Sequence, residues 1–389
     1  MVWAGRDVFP RVTGFVEPPE FGDFRVFRAL MLEVIEIGAS DTFFQPGYPI
    51  MAKLHGRMIP LTERRITYDE CLSILGWATG NDRASGLISQ GKEARGAYVL
   101  KHPTQKTNTG GEKAYRFRVN AMRSEYRASI AMQMVMRLID SEPATLESVG
   151  LDKQLELVDA CTPKNGMVYM TGPTGSGKST TFSALIRNIL EADTPIKGNV
   201  VILDDPIEYV YDSVQSEHSF PVQVEIGTCA ASYEEAIVSL MRHNPSLVVV
   251  QETRERATAV AGLQVANTGH LAYTTLHVND VKTIPTRMLS FFPPEIRDTM
   301  LFDVINTARV FMNQILVPKR GGGRVALREH LILTDAMRTE IIKKADPERL
   351  TSVIEDYLNA SGQPMAKSAK QAFEEDLIEE SVYHRIARQ

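Results

Sequence analysis

Apolar and polar positions follow two different periodicities in the first third of the chain. The stretch FRVFRALMLEVIEIGAS repeats apolar residues every three or four positions, which predicts a helix that ends near Gly38. YPIMAKLHGRMIPLT alternates and turns at Gly56, which predicts a hairpin. GAYVLKH and AYRFRVNAM predict further strands, and TQKTNTGGEK between them predicts a polar loop. We therefore expect a small α+β domain over residues 1–140.

Beyond residue 150 short apolar runs alternate with helical patterns. NVVILDD, SLVVVQE and HLAYTTL are apolar runs that end in polar groups. This alternation predicts a parallel sheet whose functional residues follow the carboxyl ends of its strands. From about Pro285 the pattern is mostly helical, with GRVALREHLIL as its one clear strand and a flexible turn at Gly321–Gly323. The predicted fold is α/β, with a linker over 141–150 and a larger domain over 151–389.

Composition narrows the class of protein. A chain of 389 residues with 43% hydrophobic and 23% charged residues is typical of a globular protein with two domains. A net charge of −5 gives no basic bias, so we expect no direct nucleic-acid binding. The apolar runs are too short to span a bilayer and the N-terminus lacks an apolar signal segment, so we expect a cytoplasmic protein with at most peripheral membrane contact.

The stretch MTGPTGSGKSTT fills the P-loop pattern G-x-x-x-x-G-K-[ST]. It lies between the strand-like GMVYM and the helical TTFSALIRNIL, so loop N–H groups and the helix N-terminus can surround phosphates. Lys178 would reach the β- and γ-phosphates, Ser179 would offer its hydroxyl to Mg²⁺, and Thr180 would bond a phosphate. ATP and Mg²⁺ are therefore the expected ligands. A structural glycine turn is the alternative, but it needs no Lys-Ser pair. The predicted nucleotide-binding residues are Gly172, Pro173, Thr174, Gly175, Ser176, Gly177, Lys178, Ser179 and Thr180.

Carboxylates follow two of the other predicted strands. Glu252 comes directly after an apolar run, where it can accept a proton from the water that attacks the γ-phosphate, or orient that water. A solvated loop residue is the alternative. Asp204, Asp205 and Glu208 cluster around a proline, which suits a water-mediated Mg²⁺ shell or, alternatively, an acidic helix cap.

Histidines flank the third predicted strand. His277 follows HLAYTTL, where a ring N–H could donate to a phosphate oxygen. Either His270 or His277, taken alone, is more often a residue with only local hydrogen bonds.

Four motifs in order carry a family resemblance. GPTGSGKST, LDDPIEYV, MRHNPSLVVVQETRE and TGHLAYTTLH resemble the Walker A, Asp box, Walker B and His box of PilT-like secretion ATPases, and the likeness covers nearly all of 25–389. LVPKRGGGRVALREHLIL and KSAKQAFEEDLIEESVYHRI are most similar to the Dot/Icm and IncI-plasmid conjugation ATPases of type IVB secretion. The assembly ATPases' four-cysteine zinc site cannot be built from Cys71, Cys161 and Cys229, and AMRTEIIKK only partly matches the retraction ATPases' C-terminal motif.

The resemblance implies a PAS-like N-terminal domain, a RecA-like ATPase domain with a helical C-terminal part, and a homohexamer recruited to inner-membrane components of a secretion apparatus. It makes Glu252 the catalytic glutamate and His277 a phosphate-sensing histidine. Arg116 and Arg118 would be offered to ATP from the N-terminal domain. Their alternation with Phe117 on a predicted strand puts both guanidinium groups on one face, where they could act in a neighbouring subunit's site; an exposed surface pair is the alternative.

The sequence departs from the family's pattern at two positions. Asp204 stands where Glu is usual, and Gln251 replaces the Gly before the catalytic glutamate, which leaves the Asp-box role of Asp204 open. A pilus retraction ATPase is the alternative within the superfamily. Two alternatives lie outside the superfamily. The first is a nucleotide-gated docking scaffold, and the presence of Glu252 argues against it. The second is a RecA-like DNA motor, and the acidic charge balance argues against that one.

Overall fold

The computed structural model describes residues 15–106, 112–139, 142–344 and 346–388. The chain divides into two compact units, Met1–Ser141 and Glu142–Gln389. The finer division into a domain over 1–140, a linker over 141–150 and a domain over 151–389 stays a prediction.

The first unit packs helices against an antiparallel sheet. Its helices are α1 (Phe24–Glu36), α2 (Tyr68–Thr79) and α3 (Ala84–Ser89). Its strands are β1 (Asp41–Phe44), β2 (Met51–Leu54), β3 (Arg57–Pro60), β4 (Ala94–Lys106), β5 (Glu112–Tyr126) and β6 (Ser129–Ile139). In the described residues the sheet has the order β3-β2-β1-β6-β5-β4.

The sequence patterns of this unit correspond to its elements. The helix α1 begins after Asp23, whose side chain accepts a hydrogen bond from the Arg25 N–H at 2.8 Å, and Gly38 follows its end with a φ of 71°. The predicted hairpin at Gly56 is confirmed as β2 and β3. The predicted loop TQKTNTGGEK is partly wrong, because its first three residues extend β4 and its last two begin β5; residues 107–111 lie outside the described residues.

The alternation on β5 follows the strand period. Phe117 is fully buried in the core of this unit, while Arg116 is half-buried and Arg118 exposed. The two guanidinium groups therefore leave the strand on the face opposite the Phe117 ring.

The second unit is a mostly parallel sheet between helices. Its strands are β7 (Gly166–Thr171), β8 (Gly198–Asp204), β9 (Ser219–Glu225), β10 (Pro245–Val250), β11 (Leu271–Leu276), β12 (Ala308–Pro318) and β13 (Arg324–Ile332). Its helices are α4 (Leu155–Cys161), α5 (Lys178–Glu191), α6 (Tyr233–Leu240), α7 (Arg256–Asn267), α8 (Ile284–Ser290), α9 (Arg297–Thr307), α10 (Asp335–Lys344), α11 (Leu350–Ser361), α12 (Met365–Glu374) and α13 (Glu380–Ala387), with a short 3₁₀ turn at Pro294–Ile296.

The strand order in this unit is β13-β12-β7-β11-β10-β8-β9, with all neighbours parallel except β12 and β13. The predicted parallel α/β sheet is confirmed. Side chains on both faces of β7 and β11 are buried, which explains their continuous apolar runs. None of the helices in the described ranges has the length and apolar character needed to cross a bilayer.

The expectation of a single clear strand after Pro285 was wrong. The strand β12 lies between β7 and the edge strand β13, and Gly321–Gly323 turn the chain into β13 with positive φ at all three glycines. Both faces of β12 are largely buried, so its residues do not alternate, and the apolar run follows directly on the helical pattern of α9. Because of these two properties, the periodicity of the sequence did not indicate where β12 begins.

Candidate nucleotide-binding site

Four parallel strands bring the predicted site residues to one edge of the sheet. β7, β11, β10 and β8 are consecutive neighbours that pair in register close to their carboxyl ends, as in Thr171 with Leu276 and Val250 with Leu203. The P-loop, His277, Glu252 and the Asp204 cluster each follow one of these strands. Chain segments more than one hundred residues apart in sequence therefore meet at the same carboxyl edge.

The P-loop connects β7 to α5 through a tightly constrained backbone. Gly172, Gly175 and Gly177 have φ values of 141°, 79° and 82°, which favour glycine. A Cβ at Gly172 would also lie 2.2 Å from the backbone oxygen of Gln314 on β12. The loop can take this course only with glycine at its first position.

The Lys178 side chain is buried within the loop. Its ammonium donates to the carbonyl oxygens of Gly172 at 2.7 Å and Pro173 at 3.2 Å. Burial lowers the pKa of Lys178, and the negative charges of Glu252 and Glu208 oppose that shift. The amine is thus held beside the loop by weak neutral acceptors, which phosphate oxygens can replace.

A cavity of about 590 Å³ opens between the P-loop and the neighbouring strand ends. Its walls contain many of the predicted residues and some that the sequence did not indicate. The predicted ones are Thr174, Gly175, Lys178, Ser179, Asp205, Glu208, Glu252 and His277. The structure thus brings eight predicted residues together around one space.

Other predicted residues lie outside this wall. Asp204 is 1% exposed and is not one of the residues that line the cavity. Thr180 bonds the Tyr209 hydroxyl at 2.8 Å on the flank of α5. His270 lies at the opposite end of β11, where its Nδ1 is 3.1 Å from the Thr268 hydroxyl, a local contact. Arg116 and Arg118 belong to the first unit.

Glu252 lies between the side chains of Arg254 and His277. Its Oε1 lies 2.9 Å from the His277 Nε2, and its Oε2 lies 2.5 Å from an Arg254 nitrogen. Burial raises the pKa of Glu252, but the Arg254 hydrogen bond and the charges of His277, Arg254 and Lys178 outweigh it and leave the pKa below its usual value. The carboxylate is therefore ionised at neutral pH and can act as a proton acceptor.

Arg254 is a site residue that sequence reasoning missed. It lines the cavity and pairs with Glu252, although it is largely exposed. The available signal was its position two residues after Glu252 in the quoted stretch MRHNPSLVVVQETRE.

Comparison with known proteins identifies the family. The sequence profile of the family described as "Type II/IV secretion system protein" matches residues 105–321, more than half of the chain. The chain belongs to this family. The type IV pilus ATPase PilU of Pseudomonas aeruginosa is 29% identical over 326 residues, which cover 83% of this chain and 78% of PilU.

Solved structures agree over nearly the whole chain. The ATPase DotB of Legionella pneumophila is 31% identical, with a TM-score of 0.82 over 95% of this chain and 97% of DotB. The pilus retraction motor PilT, solved with bound ADP, is 26% identical, with a TM-score of 0.74 over 93% of this chain and 97% of PilT. The predicted resemblance is confirmed: this is a PilT-like secretion ATPase close to DotB, an ATP-hydrolysing P-loop enzyme.

The two departures from the family's pattern lie side by side in this ATPase. Asp204 ends β8 and Gln251 follows β10, and the Gln251 N–H donates to the Leu203 oxygen at 3.2 Å. The Gln251 side chain also hydrogen-bonds the Asp204 carboxyl. The amide of Gln251 thus reaches a carboxyl that is one methylene shorter than the usual glutamate.

Among the described residues no three acidic or histidine side chains are arranged to hold a metal ion by themselves, so a magnesium ion would share its ligands with the nucleotide's phosphates. The Ser179 hydroxyl and the carboxylates of Asp205, Glu208 and Glu252 line the same space as Lys178. Mg²⁺ prefers such hard oxygen ligands together with substrate phosphates. The individual roles of these residues toward the metal stay predictions.

Asp204 carries a strongly perturbed carboxyl group. Burial raises its pKa to about 7, aided by the charges of Glu208 and Glu225 and opposed by hydrogen bonds from Gln251 and Gln223. Among the described residues, its Oδ1 has no hydrogen-bond partner. Removing the negative charge at this position should therefore stabilise the folded protein.

Replacing Asp204 by Asn should raise the melting temperature at pH 8 and change it little at pH 4. The unfolded carboxyl ionises near 3.8 and the folded one near 7, so the parent loses stability as pH rises between these values. Calorimetry at both pH values measures the difference, with the exposed Asp298→Asn as control. A lower melting temperature of Asp204→Asn than of the parent at pH 8 would contradict this.

Proposed function

We propose that this chain is a hexameric ATPase that couples ATP hydrolysis to domain motion and energises a type IVB secretion or conjugation apparatus. One observation carries the hydrolytic part: the Glu252 carboxylate, held by Arg254 and His277, lines the same cavity as the P-loop Lys178. A docking scaffold without turnover would have no use for an ionised carboxylate at that point.

The residues divide the work at the phosphates. The loop N–H groups and the Lys178 ammonium bind the β- and γ-phosphates, and Lys178 exchanges its bonds to Gly172 and Pro173 for phosphate oxygens. The ionised Glu252 orients a water or accepts its proton, while His277 donates to an oxygen of the γ-phosphate. Mg²⁺, when bound, neutralises charge on the phosphate oxygens.

Two substitutions should separate binding from turnover. Lys178→Ala removes the cation of the loop, so nucleotide binding should be lost. Glu252→Gln keeps the size of the side chain but cannot accept a proton, so binding should persist while steady-state hydrolysis falls by about a hundredfold or more. Equilibrium binding of ADP and a phosphate-release assay measure the two effects.

The matched control is Glu234→Gln, which neutralises an exposed carboxylate on α6 in the same unit. It should hydrolyse ATP at the parent's rate. Hydrolysis by Glu252→Gln within about threefold of the parent would remove the proposed base or water-orienting role.

Arg116 and Arg118 are proposed to act in the site of a neighbouring subunit. They leave one face of β5 and come from a unit separate from the one that holds the P-loop. Two cations there can stabilise the transition-state charge of a γ-phosphate bound next door, as arginine fingers do in other P-loop enzymes. A ring of six subunits supplies such a neighbour at each site.

Mixing two inactive variants tests this arrangement. Arg116→Ala/Arg118→Ala subunits keep Glu252, and Glu252→Gln subunits keep both arginines, so about a quarter of the interfaces in a randomly mixed ring are complete. Partial ATPase activity should return after subunit exchange, which native mass measurement verifies. No recovery despite verified exchange would mean either that the arginines act within their own subunit or that hydrolysis needs every site intact. ATPase rates of the parent mixed with each variant separate these two explanations. A fall in proportion to the variant fraction would show that sites act independently, and the lack of recovery would then contradict action in trans.

The type IVB assignment rests on the comparison of solved structures, in which the likeness to DotB exceeds that to PilT in identity and in TM-score. The type IV pilus retraction ATPase PilT of Pseudomonas aeruginosa, which is 33% identical over 226 residues and 58% of this chain, favours a second candidate, a pilus retraction ATPase. For either machine we propose a cytoplasmic ring recruited peripherally to inner-membrane components, without direct binding of nucleic acid.

A chromosomal Glu252→Gln allele in the source organism tests which machine is driven. When the allele replaces the parent gene, its rings bind ATP without hydrolysing it, so effector export or plasmid transfer should fall by at least about tenfold. Twitching motility should be unchanged. Loss of twitching with intact export or transfer would support the pilus candidate instead. The Glu234→Gln allele serves as control.

A further inference from the structure

The carboxamide of Gln314 forms hydrogen bonds with the P-loop and with the helix that follows it. Gln314 lies on β12, is 1% exposed and contacts two parts of the loop and its helix. Its Nε2 donates to the Ser176 carbonyl at 2.7 Å, and its Oε1 accepts from the Thr181 hydroxyl at 2.9 Å. The same Oε1 accepts from the Arg328 Nε at 2.8 Å.

The guanidinium of Arg328 fixes which end of the amide faces the loop. A guanidinium has only donors, so the atom of Gln314 that it contacts must be the oxygen. The amide nitrogen then has to face the Ser176 carbonyl. A rotated amide would set nitrogen against the Arg328 donor and oxygen against the Ser176 oxygen, and both contacts would be repulsive.

This bond determines where the Gly177 N–H points. Ser176 C=O and Gly177 N–H belong to one planar trans peptide, in which the two groups point in opposite directions. The carbonyl is directed out of the loop toward Gln314, so the N–H is directed into it, where a P-loop binds phosphate. The packing is close, because a Cβ on Gly177 would lie 3.1 Å from the Gln314 Nε2.

Arg328 is an unusual side chain to find in this core. It pairs with Gln314 in the register of β12 and β13 and is 1% exposed. Its other acceptors are the backbone oxygens of Val149 at 2.6 Å and Gly150 at 3.4 Å. All three acceptors are uncharged, and a buried cation without a carboxylate destabilises a fold unless it is fully hydrogen-bonded. Burial lowers the pKa of Arg328 to about 10, so it stays charged at neutral pH.

We propose that Gln314 and Arg328 are positioning residues for nucleotide binding, which hold the Gly177 N–H toward the phosphates and tie the P-loop to the backbone at Val149 and Gly150. Neither side chain touches the reacting atoms. The proposal rests on nucleotide binding by the P-loop but not on the machine that the ATPase drives. It assigns a role in substrate affinity to a buried cation that the hydrolytic mechanism does not use.

Gln314→Glu separates positioning from stability. Its carboxylate still accepts from Thr181 and gains an ion pair with Arg328, which offsets the repulsion between its second oxygen and the Ser176 carbonyl, so the melting temperature should change little. It has no donor for the Ser176 carbonyl, so the dissociation constant for ADP and the KM for ATP should rise about tenfold with little change in kcat. Gln314→Met removes the donor without adding charge and should weaken ADP binding to a similar extent.

Arg328→Met should weaken ADP binding as well, because the amide is then free to rotate, and it should have little further effect in the Gln314→Met background. The matched control is Arg338→Met. Arg338 is 8% exposed and donates to the carbonyls of Leu333 and Ala308, away from the loop. It should leave ADP affinity at the parent's value even where it lowers the melting temperature.

Unchanged ADP affinity in folded Gln314→Glu would overturn the proposal, whatever Arg328→Met does. So would a loss of affinity in Gln314→Glu that Gln314→Met does not share, because that pattern reports the added charge alone. Absence of ADP binding by the parent protein would instead remove the P-loop assignment on which the proposal rests.

Discussion

Parallel pairing of β7, β11, β10 and β8 is the constraint on which this site depends. Parallel strands with aligned register end at the same edge of a sheet, so the chain that leaves each strand enters the same space. The P-loop, His277 and Glu252 come together for this reason. The strand β12 also contributes, because it pairs with β7 and its Gln314 side chain donates a hydrogen bond to the P-loop.

The charged side chains around Glu252 stabilise one another at the strand ends. Glu252 is paired with Arg254 and His277, and its negative charge in turn stabilises the ammonium of Lys178. A phosphate that enters the cavity meets an oriented cation and a carboxylate already ionised at neutral pH. Such preorganisation lets electrostatic effects act on the transition state without reorganising the protein. The two carboxyl groups have different environments: cationic neighbours lower the pKa of Glu252, whereas burial raises the pKa of Asp204.

The sequence predicted the parts of this molecule that have regular patterns. The helix α1, the hairpin at Gly56, the P-loop between β7 and α5, and the strands that precede Glu252 and His277 were visible as periodicity or as a motif. The family resemblance was confirmed by the comparisons. In contrast, β12 was missed because burial on both faces leaves no alternation to detect.

Contacts between distant parts of the chain could not be predicted. Nothing in sequence spacing shows that Gln314 would bond Ser176, or that Arg328 would reach the Val149 carbonyl. The burial of Asp204 beside the exposed Asp205 depends on which side of the chain faces the sheet after the strand ends. Such properties arise from tertiary packing, which short motifs do not encode.

Lys178 and Glu252, which follow β7 and β10, are proposed to act on one γ-phosphate. A structure of the Glu252→Gln variant with ATP and Mg²⁺ tests this most directly. In that structure the Lys178 ammonium should leave the Gly172 and Pro173 carbonyls for the phosphates, and the residue-252 amide should lie within reach of a water that faces the γ-phosphate. A γ-phosphate bound away from residue 252, or Lys178 still on the loop carbonyls with nucleotide present, would contradict the account.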